Sequence, residues 1–190
     1  MGILDAIFGQ RRPVKSKLDQ LFAMSTAATT LQVNLRLEPA GRAGVCFRPV
    51  TSAVFASMQE DMERLLASAG QEFGTKVTVQ PDSYGFLWVL LADPEFEDLV
   101  TTIHVACLTL VEGGFGDQLL AAAFRFRAQD TGRAIYWVYN YKRGTFYPFV
   151  PTGERTRDNA TEIRLGALME RELPIEREME RWYPLWGLPV

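Results

Sequence analysis

Histidine and cysteine are nearly missing from this chain: His104 is the only histidine, and Cys46 and Cys107 are the only thiols. A zinc site needs three or four convergent ligands, and one His with two Cys in separate segments gives poor support for one. Two cysteines do not make a disulfide scaffold, so both read as buried thiols in a reducing cytosol. His104 and Cys107 are neighbours along a helix. Nothing nearby supplies a charge to hold a thiolate, and no third group orients the base, so a catalytic Cys–His pair is not expected. No run approaches the roughly 18 apolar residues of a membrane span. The short apolar start precedes its charges instead of following them, which is not the pattern of a secretory leader. The expected location is therefore cytoplasmic. Positive charge is also in short supply: a formal net charge of −3 argues against a general nucleic-acid binder. Gly113-Gly114-Phe115-Gly116 fits no phosphate-binding loop and reads as a glycine helix stop. No cofactor, metal or reaction is indicated, and the expectation is a protein that is not an enzyme.

What is present is a core. Hydrophobic residues make up 47% of the 190 positions and charged residues 23%, which suits one domain with a terminal extension. Residues 1–15 read as that extension. Ile3, Leu4, Ile7 and Phe8 share one helical face and precede Arg11 and Arg12, the pattern of a peptide lying on an anionic membrane surface. The competing reading is a terminal helix packed on its own domain. Residues 16–190 read as a single α+β domain with an aromatic C-terminal tail.

Ser16 with Asp19 resembles a capping box that opens a helix. From Leu31 the pattern alternates through Val33, Leu35 and Leu37, which predicts a strand and a hairpin over 31–50. Helical spacing returns at 52–69, with Val54, Met58, Met62, Leu65 and Ala69 as the expected buried stripe. Two strands follow around Val77–Val79 and Phe86–Leu91, then a helix over 94–112. A second long hairpin joins 120–127 to 135–141, and the last helix covers 158–172 with Ile163, Leu165, Leu168 and Met169 as its apolar positions. The order helix, hairpin, helix, strands, helix, hairpin, helix implies a mainly antiparallel sheet with helices packed on it. Glu170, Glu172, Glu176, Glu178 and Glu180 alternate with arginines and read as a solvated, self-paired face.

The most unusual stretch is 139–159. Lys142, Arg143, Phe146, Tyr147, Phe149, Arg155 and Arg157 interleave rings with cations, and Trp182 and Trp186 follow in the tail. One reading makes these nine residues a docking face for a protein partner. Another lets Arg143, Arg155, Arg157 and Tyr147 hold a small anion, as an anion binder or an enzyme of unknown reaction. The plainest reading has the rings plug one end of the sheet while the charges reach water.

Several of these segments resemble one family. They are Met1-Gly2-Ile3-Leu4-Asp5-Ala6-Ile7-Phe8-Gly9 with Val14, Leu18-Asp19-Gln20-Leu21-Phe22-Ala23, Asp82-Ser83-Tyr84-Gly85-Phe86 and Tyr141-Lys142-Arg143-Gly144-Thr145-Phe146-Tyr147-Pro148-Phe149. Arg157-Asp158-Asn159, Leu173-Pro174 and Arg181-Trp182-Tyr183-Pro184-Leu185-Trp186-Gly187 complete the set. Together they look like the PspA-associated protein family PspAB. The resemblance implies an accessory protein linked to PspA, the coiled-coil protein that coats stressed inner membranes, and it implies no catalytic residues. A peripheral place at the inner face of the cell membrane would follow. The element order is also similar to small secretion-chaperone-like domains, which bind protein segments and often dimerise, so a homodimer is a second expectation.

Overall fold

Leu18, Leu21, Met24, Ala27, Ala28 and Leu31 recur at three- and four-residue spacing, and all are buried. That period makes the beginning of the domain helical well past Leu31. The computed structural model describes residues 15–190, so the expected membrane-surface residues Ile3, Leu4, Ile7, Phe8, Arg11 and Arg12 lie outside the described residues. Helix α1 (Lys15–Asp19) passes through a 3-10 turn (Gln20–Phe22) into α2 (Ala23–Leu35). The strand expected from Leu31 is therefore helix. Leu31 is fully buried while Val33 is 72% exposed, the phase of a helix and not of a pleat. α2 ends at Arg36, whose φ of 54° is left-handed and whose N–H reaches back to Leu31 O.

Only then does β1 (Leu37–Phe47) begin, and it is one strand instead of a hairpin. The predicted turn at 39–44 is a bulge, with a register shift between Pro39 and Arg42 against β4 (Leu119–Ala128). A proline has no N–H for the ladder, and a bulge accommodates that lack without breaking the strand. Gly41 takes φ +66° there, and a Cβ on it would sit 3.0 Å from Asp93 O.

The other elements are α3 (Ala53–Phe73), β2 (Lys76–Pro81), β3 (Leu87–Ala92), α4 (Phe96–Glu112), β5 (Ala134–Asn140) and β6 (Thr145–Phe149). Short strands β7 (Pro151–Gly153) and β8 (Thr156–Arg157) lead to α5 (Asn159–Met169). Six strands form one antiparallel sheet in the order β2-β3-β1-β4-β5-β6. The class is α+β, as the patterning implied. α3's buried stripe is displaced from the expected one: Phe55, Met58, Met62 and Leu66 are inside, while Val54 and Leu65 are 70% and 47% exposed. On α5, Leu165 and Met169 are buried, but Ile163 and Leu168 face out.

Both sheet faces are covered. The front carries Val45, Phe47, Val89, Phe124, Phe126, Trp137 and Tyr139 under α2, α3 and α4. The back carries the alternate residues, among them Cys46, Trp88, Ala121, Ala123, Tyr136, Val138, Tyr147 and Phe149. Among the described residues no α-helix belongs to this cluster. Its residues lie beneath an irregular strap, residues 175–190, through Trp182, Leu185, Trp186, Leu188 and Val190. Small residues let the strap approach: a Cβ on Gly44 would meet Val190 Cγ2 at 2.9 Å and Val89 O at 3.1 Å. The β6 edge is closed by the start of the strap. Phe146 N donates to Pro174 O at 2.8 Å, and Glu176 N donates to Phe146 O at 2.9 Å.

Trp182 anchors the strap. It is 8% exposed, its ring stacks on Tyr147 at 6.2 Å, and its indole N–H donates to Glu176 O at 2.8 Å. Trp182→Ala is therefore expected to lower the unfolding free energy by about 3–5 kcal/mol, the usual loss for a buried large aromatic. Urea denaturation checks it, and a change under about 1 kcal/mol would mean the strap does not hold the sheet.

Candidate functional site

The pleat decides the fate of the expected aromatic-basic face. Successive residues of β6 point to opposite sides of the sheet, so Phe146 enters the front core while Tyr147 and Phe149 enter the back. All three are 2% exposed or less. Phe146 packs on Tyr139 at 4.6 Å, Tyr147 donates its hydroxyl to Tyr183 O at 3.0 Å, and Phe149 meets Trp186 edge-on at 5.4 Å. Phe146, Tyr147, Phe149 and Trp182 are thus interior, which corrects the expectation that they form a docking face. Trp186 is half-buried. Lys142 and Arg155 are exposed and separate, one in the β5–β6 turn and the other in the β7–β8 turn.

Two of the expected cations serve buried carboxylates. Glu162 on α5 is 1% exposed; it accepts from Val150 N at 2.7 Å and from Arg157 Nε at 2.7 and 2.9 Å. Arg157 also donates to Trp182 O at 2.7 Å and lies 5.2 Å from the centre of the Phe149 ring. Burial raises the Glu162 carboxyl above its usual value despite these donors. Glu176, 4% exposed, accepts from Glu178 N, Thr145 Oγ1 and Arg143 Nε at 3.2, 3.0 and 3.2 Å. Burial there opposes ionisation, but the three donors and the Arg143 charge outweigh it and hold the carboxyl below its usual value. Glu176 is therefore a core residue, not part of a solvated charged face. Arg143 and Arg157 clasp strap, β6 and α5 together.

The two thiols are enclosed. The Cys107 thiol lies 2.8 Å from Tyr141 Oη, and burial pushes it up to about 12. Burial does the same to Cys46, also to about 12. Both stay protonated at neutral pH. His104 packs on Phe22 at 4.6 Å between ring centres, its Nδ1 has no partner, and burial lowers its pKa against an opposing pull from Asp19. A cavity of about 310 Å³ under the strap is lined by Cys46, Trp88 and Leu185. Its one carboxylate, Asp82, already accepts from Tyr84 N, Phe86 N and Trp88 Nε1.

Charge and apolar surface do come together elsewhere. A groove of about 420 Å³ lies between the end of α2, the β4–β5 turn and α5. Ile135, Val150 and Leu165 lie beneath it but are buried in the core; Leu35 and Leu168 are its accessible apolar side chains, and Arg36, Arg133 and Arg164 are among its walls. Arg133 pairs with Asp158 at 2.9 Å; among the described residues Arg36 and Arg164 make no ion pair. Sequence reasoning missed all three arginines because they sit on separate elements with no common motif. The one local signal was Thr161, Arg164, Leu165 and Leu168 at i, i+3, i+4 and i+7, a single mixed face of α5.

Residues 1–190 match the family described as PspAB, PspA associated protein B. No curated protein and no solved structure matches the chain.

Asp158 caps α5, accepting from Thr161 N at 3.0 Å and Thr161 Oγ1 at 2.9 Å. The Thr161 N–H, the Thr161 hydroxyl and then Arg133 hold its carboxyl below the ordinary 3.8. Its stabilising contribution is complete above 3.8 and is lost as pH falls through the lowered folded-state value. Asp158→Ala is expected to cost about 1 kcal/mol at neutral pH. The gap between parent and variant should close at pH well below 3.8. Equal gaps in chemical denaturation at both pH values would contradict this.

Proposed function

Since the chain belongs to the PspAB family, we propose that it is an accessory protein that associates with PspA in the response to envelope stress and does no bond-making chemistry of its own. The observation that carries this is the family match over residues 1–190 under a description that names the association. The chemistry of the interior supports it. Both thiols are protonated and enclosed, and Glu162 and Glu176 are saturated by structural donors. Arg143 and Arg157, two cations of the expected anion site, are spent on those carboxylates.

Among the described residues no helix is long and apolar enough to cross a membrane, so the association is read as protein on protein. Of the face first expected, Lys142, Arg143, Arg155 and part of Trp186 remain accessible, and Arg143 is already paired with Glu176. Isolated exposed charges contribute about 0–1 kcal/mol, too little to carry a complex alone.

Purified full-length protein and purified PspA are expected to form a complex that dissociates as salt rises, followed by size-exclusion chromatography with light scattering. Lys142→Glu with Arg155→Glu should weaken it less than about fivefold, as two screened surface charges would. Failure of the two proteins to co-elute at any salt concentration removes the proposal.

A further inference from the structure

Arg36 is the only non-glycine residue with positive φ among the described residues. The position after a helix that turns left-handed is normally glycine, because a Cβ there crowds the following carbonyl. Both main-chain groups of Arg36 are fixed: its N–H bonds Leu31 O and its carbonyl accepts from Gln129 N at 3.0 Å. A strained backbone kept with a long side chain points to work for that side chain. The side chain is exposed, makes no ion pair among the described residues and lines the groove described above.

Three guanidiniums line this groove against two nearby carboxylates, Asp130 and Asp158, of which Asp158 is already engaged by Thr161 and Arg133. The surplus is positive on a chain whose net charge is −3. The wall opposite is a helix ridge: Leu168 is 55% exposed there, beside Arg164 and Leu165. Concavity, accessible apolar side chains at Leu35 and Leu168 and a cationic rim fit a convex object with one apolar stripe and acidic flanks.

We propose that this groove docks an acidic amphipathic helix of a protein partner. Its apolar side chains lie on Leu35 and Leu168, and its carboxylates meet Arg36 and Arg164. The mode is helix-in-groove recognition, with arginine forks supplying register and specificity. The inference rests on the association proposed above and names the surface through which it occurs.

The test uses purified full-length protein, purified PspA as the probe, and biolayer interferometry at low and high salt. Arg36→Gly with Arg164→Gln is expected to weaken binding at least tenfold and to flatten its salt dependence. Arg36→Gly alone should leave the thermal unfolding midpoint unchanged or higher, because glycine relieves the left-handed strain. A midpoint that falls in step with affinity makes Arg36 a structural residue and overturns the proposal. So does a double variant that binds within twofold of the parent. Loss of binding to phosphatidylglycerol vesicles with PspA binding intact would assign the rim to lipid instead, and also overturns it. A parent protein that does not bind PspA removes the association itself, and the groove's role with it.

Discussion

The fold depends on the irregular strap that covers the back of its sheet. Six strands bury apolar side chains on both faces, yet the regular helices of the front supply only one cover. The strap over the other face has few main-chain bonds of its own, so it is held by side chains. Arg157, held by Glu162, donates to Trp182 O; Glu176 and Arg143 bind it at the β6 edge, and Arg125 and Tyr136 reach Val190 O at 3.5 and 3.2 Å. Burying two carboxylates is unfavourable in itself. Their value lies in direction: each oxygen accepts from defined donors, and the strap has one arrangement that satisfies them all.

That constraint accounts for the chain's most conspicuous segment. The rings of 146–149 and the cations at 143 and 157 are placed as a builder would place wedges and ties, with flat faces inside and guanidiniums reaching across. A surface that looks adhesive in one dimension is interior in three. Charge and accessible apolar side chains come together elsewhere, in the hollow between the end of α2 and α5.

Much of the architecture was legible from periodicity. β4 and β5 alternate cleanly at Phe124, Phe126, Ile135 and Trp137, and Gly113 with Gly114 ends α4 as its composition predicts. The errors have a common physical origin. Leu31, Val33, Leu35 and Leu37 alternate in type, but burial of Ala27, Ala28 and Leu31 against the sheet overrode local pattern and extended the helix. The stripe of α3 was misplaced because Phe55 and Leu66, not Val54 and Leu65, face the core. Glu176 was read as solvated because nothing in its charged neighbourhood reveals that a strand edge closes over it. The groove was invisible for the same reason: residues 36, 133 and 164 become neighbours only through the tertiary fold.

The position of β1 has a consequence for how the molecule assembles. β2 with β3, and β4 with β5 and β6, are local hairpins and a meander, whose turns bring neighbouring strands together at small entropic expense. β1 instead pairs on one side with β3 and on the other with β4, both far downstream. Its ladder closes long loops, and such non-local pairing slows folding. The centre of the sheet is therefore the seam with the largest loop-closure cost, and while it is unpaired the apolar edges of β3 and β4 are open to pairing with other chains.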